Sequence, residues 1–187
     1  MIYELNDYVS KDDLVYINKT INKHIKENEN SFARKDNSYR HGKTILITGE
    51  SELQELDKKI KDIISSLMGF VERNYRPEYG VGDSGYEFHR YFPGDVCKTH
   101  QDNTMPFIKR NGKSLIRFLS VVIHLNTPQE GGDIVFPDQG KVVKTEAGKV
   151  VLFPPYGFVP HYVTKSLENR DVIVTWLVYN GVTAVKD

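Results

Sequence analysis

Over residues 86–102 the chain reads YEFHRYFPGDVCKTHQD, ending in His100-x-Asp102, and a second usable histidine, His161, follows 61 residues after the first. Two imidazoles and one carboxylate can bind one face of a ferrous ion and leave its other positions for a cosubstrate and dioxygen. In an extended chain, residues two apart project from the same side, so one short segment can supply two of these ligands. Three protein ligands plus a water suit zinc as well, which keeps a zinc hydrolase open on these residues alone. His-x-Asp by itself is a common surface triplet, so the reading depends on what the rest of the chain builds around it.

From residue 86 onward the sequence breaks into short β-type runs near 86–92, 116–125, 132–136, 141–145, 149–153, 161–166 and 170–179. Turn signals separate them: Pro93-Gly94, Asn111-Gly112, Gly131-Gly132, Ala147-Gly148 and the stretch 154–157. That spacing predicts a sandwich or small barrel. The N-terminal part is different. Ser10-x-x-Asp13 resembles a capping box, and Leu14, Ile17, Ile21 and Ile25 follow at helical spacing. Ser51 is expected to cap a second helix whose apolar face is Leu53, Leu56, Ile60, Ile63, Ile64, Leu67 and Phe70. A short strand is expected over 44–48, and residues 29–40 read as irregular. Helices followed by strands argue an α+β fold with helices packed on an antiparallel double sheet. The expected domain is single, 1–187, with 1–80 a mainly helical buttress and 81–187 the β core.

The chain has 187 residues, with Lys plus Arg and Asp plus Glu both at 25 and a formal net charge of zero. No global basic field exists to gather nucleic acid, so none is expected as a partner. No apolar run approaches the roughly 20 residues that span a bilayer, so no membrane partner is expected either. One cysteine, Cys97, excludes an intramolecular disulfide, and residues 1–10 lack the basic-then-apolar layout of a signal peptide. A cytoplasmic setting is the expectation. Oligomeric state is not readable from these features.

Tyr91-x-x-Gly94, His100-x-Asp102, Arg117-x-x-Ser120-x-x-x-His124-Leu125-Asn126, Gly131-Gly132, the run 148–153, His161 and the run 170–176 stand in order along the chain. Together they resemble an iron(II)- and 2-oxoglutarate-dependent dioxygenase of the prolyl 4-hydroxylase type, over about residues 86–179. The resemblance implies a double-stranded β-helix of the jelly-roll or cupin-like kind. It implies Fe(II), with 2-oxoglutarate and O2 as cosubstrates and ascorbate as a further cofactor. The implied metal ligands are His100, Asp102 and His161, with His161 facing the 100–102 end across a sandwich. Arg170 would grip the far carboxylate of 2-oxoglutarate, which a planar guanidinium can do bidentately. Tyr91 would hydrogen-bond the cosubstrate, and Ser120 and His124, which share a strand face with Val122, would complete that pocket.

Departures from the family pattern bear on the substrate. Ser120 stands where threonine is common, His124 where tyrosine is common, and Cys97 where tyrosine often forms a pocket wall. Cys97 is expected to shape the pocket and to do no redox chemistry. Glu87 and His89 share the Tyr91 face and are substrate-side candidates. Trp176 is expected to pack beneath the site, and residues 103–114 are read either as a lid or as an exposed connector. The implied reaction is hydroxylation of an unactivated C–H with release of succinate and carbon dioxide. A prolyl residue in a peptide or protein is the expected substrate, with a free amino acid or other small molecule as the alternative. A cupin-like metal- or ligand-binding protein without turnover is the rival from another class.

Overall fold

The structure is a computed structural model that describes residues 1–28, 32, 40–75, 80–102, 108–110 and 113–180. Two helices carry the N-terminal half. Helix α1 (Lys11–Glu27) starts where Ser10 accepts a hydrogen bond from the Asp13 amide at 3.1 Å, satisfying one of the orphan donors of the first turn. It buries Ile17 and Ile21. Helix α2 (Gln54–Tyr75) is preceded by a 3-10 turn, Ser51–Leu53. Ser51 is therefore the first residue inside that turn and not the cap, since a tightened first turn already bends the backbone there.

The strands are β1 (Tyr3–Leu5), β2 (Lys43–Leu46), β3 (Gly80–Asp83), β4 (Glu87–Tyr91), β5 (Cys97–His100), β6 (Ile108–Arg110), β7 (Lys113–His124), β8 (Ile134–Phe136), β9 (Lys141–Val143), β10 (Val150–Phe153), β11 (His161–Val163) and β12 (Arg170–Asn180). The major sheet runs β1-β10-β7-β12-β4-β2, with β3 also on β12 and β6 on β7; the minor sheet runs β5-β11-β8-β9. Every pairing is antiparallel. This is the expected double-stranded β-helix with helical buttress. Several minor-sheet strands are shorter than their apolar runs suggested. Gly131 and Gly132, at φ 76° and 75°, keep the chain off the ladder until Ile134. A Cβ on Gly131 would lie 1.8 Å from the Lys165 carbonyl oxygen, so no other residue fits that crossing.

Period-two alternation sorts the major sheet into two environments. Phe88, Leu119, Val121, Ile123, Val150, Leu152, Ile173 and Leu177 join one apolar cluster with Ile17, Ile21, Leu56, Ile60 and Leu67 of the helices. Their neighbours Tyr91, Val122, Val151, Phe153 and Val172 join a second cluster with Ile134, Phe136 and Val143 of the minor sheet. The helices thus stiffen the major sheet from outside, and the interior between the sheets is left for the site. Of the suggested lid, 103–107 and 111–112 lie outside the described residues, while Ile108–Arg110 pairs with the start of β7. No described helix is long and apolar enough to cross a membrane.

Candidate active site

Strands β5 and β11 are adjacent in the minor sheet, and His161 stands directly opposite His100 in their register. The sequence reading had these histidines facing each other across a sandwich; they are instead cross-strand neighbours, with ring centroids 4.3 Å apart. Asp102, two residues past His100, completes the trio. One ligand atom from each residue lies within 4.8 Å of the other two. His100 Nε2 is 3.4 Å and His161 Nε2 3.7 Å from Asp102 Oδ1. The opposite ring nitrogens face backbone carbonyls, His100 Nδ1 to Lys98 at 2.9 Å and His161 Nδ1 to Val159 at 3.4 Å. With each Nδ1 turned to a backbone carbonyl, Nε2 is the nitrogen that would bind a metal in place of its proton, the arrangement that metal-binding histidines use.

Asp102 is held by its other oxygen. Ser120 donates to Oδ2 at 2.7 Å and the Trp176 indole donates to it at 3.2 Å. Ser120 and Trp176 are cross-strand partners on β7 and β12. Ser120 thus supports the Asp102 carboxylate, and Trp176 does more than pack. Arg117 donates to the Asp102 carbonyl at 3.0 Å while its guanidinium lies 3.8 Å from the Trp176 ring centroid. Burial opposes ionisation of Asp102, but the His100 contact, the His161 charge and the Ser120 bond outweigh it and hold the carboxyl well below the usual range. Burial disfavours the charged form of His100 too, yet Asp102 and Cys97 push its pKa up to about 10. Electrostatically, the trio is a site that asks for a cation.

A second feature lines the same interior cavity. Arg170 is 2% exposed, with its guanidinium 5.2 Å from the Tyr91 ring and Nε 3.5 Å from Thr145 Oγ1. The carboxylates around it are committed elsewhere. Asp171 is gripped by Arg90 at 2.8 and 2.6 Å on the opposite face of β12, and Asp133 by Lys144 at 2.6 Å. Among the described residues no carboxylate pairs with Arg170. His124, fully buried, has no hydrogen-bond partner on either ring nitrogen among the described residues, and burial followed by the charges of Arg170 and Lys149 keeps it neutral. Gly132 makes room: a Cβ there would come within 3.1 Å of the Arg170 side chain. A buried cation beside an unsatisfied imidazole is costly without a ligand and fits a carboxylate.

A cavity of about 650 Å³ holds both features, and Tyr91, Cys97, Val122, Val172 and Val174 line it together with His100, Asp102, His161 and Arg170. Cys97 is buried there, its sulfur 3.6 Å from His100 Nδ1. Arg40, Glu87 and His89 form a charged stretch of its wall. The fit to iron and a dicarboxylate rests on these residues: three convergent groups of mixed N and O type, and an anion cradle in the same cavity.

Such a site on a double-stranded β-helix defines a metal-dependent enzyme that grips an acidic cosubstrate. The chain belongs to the 2OG-Fe(II) oxygenase superfamily, whose family model matches residues 86–178. It is therefore a 2-oxoglutarate-dependent dioxygenase, using Fe(II), 2-oxoglutarate and O2. Among solved structures, the viral collagen prolyl hydroxylase of Paramecium Bursaria Chlorella virus-1, in its 2OG complex, aligns with a TM-score of 0.72 and 17% identity over 95% of this chain and 96% of its own. A Trichoplax adhaerens prolyl hydroxylase, bound to a hypoxia inducible factor oxygen degradation domain peptide fragment, aligns with a TM-score of 0.75 and 16% identity over 96% and 83%. A Pseudomonas putida prolyl-4-hydroxylase aligns with a TM-score of 0.65 and 17% identity over 96% and 93%. At these identities the likeness is one of fold. No curated protein matches the sequence.

Proposed function

We propose that this dioxygenase hydroxylates an unactivated C–H of a prolyl unit, with His100, Asp102 and His161 as the iron ligands and Arg170 as the anchor of 2-oxoglutarate. The observation that carries the reading is the pairing, in one cavity, of the convergent trio with a buried Arg170 that no described carboxylate neutralises. Iron(II) with bound 2-oxoglutarate supplies oxidative decarboxylation by dioxygen, which places one oxygen atom in succinate and the other on the substrate carbon. The protein's residues bind and orient. Arg170 and the His124 N–H hold the distal carboxylate, and Tyr91 closes the pocket over the Arg170 guanidinium. Ser120 and Trp176 fix Asp102 Oδ2 so that Oδ1 faces the metal position. Backbone carbonyls of Lys98 and Val159 hold the Nδ1 protons, keeping both Nε2 atoms available. Val122, Val172 and Val174 provide a dry wall on which a hydrocarbon can lie.

The prolyl unit is supported by the fold shared with prolyl hydroxylases, one of which holds a peptide. A prolyl residue in a peptide or protein is the first reading, with a free amino acid or other small molecule as the alternative. A reducing, cytoplasmic compartment with ascorbate as reductant belongs to the same reading, supported by a lone buried thiol beside the metal trio. The test is anaerobic reconstitution with iron and 2-oxoglutarate, then exposure to air with candidate peptides and amino acids. The expected result is succinate release and one added oxygen on a substrate by mass spectrometry. Absence of succinate under every condition contradicts the reading.

A further inference from the structure

The guanidinium of Arg170 has donors on two edges, and the fold treats them differently. On one edge, Nε donates to Thr145 Oγ1 at 3.5 Å. Thr145 is buried and already committed: its hydroxyl donates to the Gly132 carbonyl at 2.6 Å, so it turns lone pairs and not its proton toward Nε. Its amide donates to Asp133 Oδ1 at 3.2 Å, and Asp133 Oδ2 accepts from Lys144 at 2.6 Å. Tied at backbone and side chain, Thr145 cannot turn to follow a moving arginine. Gly132 shapes the same stem from beside it, because a Cβ there would come within 3.1 Å of Arg170 Cδ and 3.6 Å of Cγ. On the other edge, no hydrogen bond engages Nη1 or Nη2 among the described residues, and Arg170 lines the cavity.

Resting on the reading of Arg170 as the 2-oxoglutarate anchor, we propose that Thr145 is a positioning residue for the cosubstrate. By holding Nε it leaves the Nη1/Nη2 edge for the distal carboxylate and fixes how far that edge reaches. The reach in turn sets the length of oxoacid that can span from Arg170 to His100, Asp102 and His161. Three features support this role. A guanidinium grips a carboxylate through two parallel bonds, which need one edge held in one orientation. An arginine side chain has many rotamers, and holding it beforehand removes an ordering cost from binding. Finally, the contact is particular to arginine, since the lysine stem has a methylene where Nε–H stands and only a point charge beyond it. At 3.5 Å the bond is long, so its share is direction more than strength, and Gly132 supplies the rest of the hold.

The experiment is anaerobic calorimetry on the iron-loaded protein with three oxoacids. These are 2-oxoglutarate, the longer 2-oxoadipate, and 2-oxopentanoate, which carries a methyl in place of the distal carboxylate. Thr145→Val removes the hydroxyl at nearly constant volume, and Thr145→Ser keeps it. Thr145→Val is expected to weaken 2-oxoglutarate about fivefold, the scale of one ordinary hydrogen bond. It is expected to narrow the preference for 2-oxoglutarate over 2-oxoadipate and to leave 2-oxopentanoate unchanged, while Thr145→Ser restores the wild-type pattern. In an Arg170→Lys background, where no Nε–H exists, Thr145→Val is expected to add no further loss, the signature of two residues acting as one. Circular dichroism reports whether each variant is folded, and Thr145→Ala gives a second hydroxyl-free protein for the same comparison. Unchanged 2-oxoglutarate affinity, an equal loss on all three oxoacids, or an undiminished loss in the Arg170→Lys background overturns the proposal. The wild type separates the two levels. If it binds 2-oxoglutarate no tighter than 2-oxopentanoate, the Arg170 anchor itself fails; if it prefers 2-oxoglutarate and Thr145→Val changes nothing, only the role of Thr145 falls.

Discussion

Strands β7 and β12 present Leu119, Val121, Ile123, Ile173 and Leu177 to the helices, and Ser120, Val122, His124, Arg170, Val172 and Trp176 to the interior. These are alternate residues of the same two strands, yet the first set is apolar and closely packed while the second includes a cation, an imidazole without partners and a donor pair aimed at Asp102. The difference teaches where stability and function are kept. The outer face makes the fold, so the inner face can hold groups that gain their partners only from a metal and a ligand.

The largest expected effect follows directly. Ile173→Ala on the outer face should lower stability by about 2–5 kcal/mol, through lost burial and a residual cavity, with little change in 2-oxoglutarate affinity. Arg170→Ala on the inner face should do the opposite. Loss of one partner of a buried charge pair costs roughly 3–5 kcal/mol, so 2-oxoglutarate affinity should fall about a hundredfold or more while the unliganded fold is hardly weakened. Denaturant melts and calorimetric titrations of the two variants test the pair, and Arg170→Lys should lie between Arg170→Ala and the wild type.

Much of this division was legible in the sequence, because both strands are long and alternate cleanly; the HxD spacing and Arg170 at the head of an apolar run could be placed before any coordinates. Other parts were hidden for physical reasons. Cys97–His100 carries three polar residues in four and gives no burial signal, so its pairing with β11, and with it the His100–His161 register, emerges only from tertiary contact. Gly80–Asp83 is too glycine-rich to read as a strand. The Ser120 and Trp176 bonds to one Asp102 oxygen depend on cross-strand pairing that no local pattern encodes. Arg40 reaches His89 from a distant part of the chain for the same reason.

A smaller effect should appear on acidification. The His89 pKa lies at about 4 in the fold, against an ordinary 6.5, because burial disfavours its charged form. The unfolded chain therefore binds the proton more readily, and the stability His89 contributes is present above about pH 6.5 and lost as pH falls toward 4. The loss is on the order of 3 kcal/mol at about 1.4 kcal/mol per pKa unit. His124 acts in the same direction. Melts across this window should show the decline, and His89→Gln should flatten part of it; an unchanged slope would mean that His89 is not held neutral.

Ser120→Ala gives the smallest expected change and sharpens the inner face most finely. It removes one donor to Asp102 Oδ2 while the Trp176 donor remains. Iron affinity should fall about tenfold or somewhat more, as with other groups that support a metal ligand. The 2-oxoglutarate pocket should be spared, because Ser120 serves the carboxylate; a selective loss of 2-oxoglutarate binding, with iron binding intact, would return Ser120 to the cosubstrate.

The central claim is that the trio and the Arg170 cradle form one composite site. An anaerobic calorimetric titration of 2-oxoglutarate into wild-type protein, with and without Fe(II), and into Asp102→Ala with Fe(II), tests it most directly. The account predicts tight binding only in iron-loaded wild type, with both other samples weaker by tenfold or more. Equal 2-oxoglutarate affinity in all three would contradict it, because the cavity would then bind the acid without any part played by His100, Asp102 and His161.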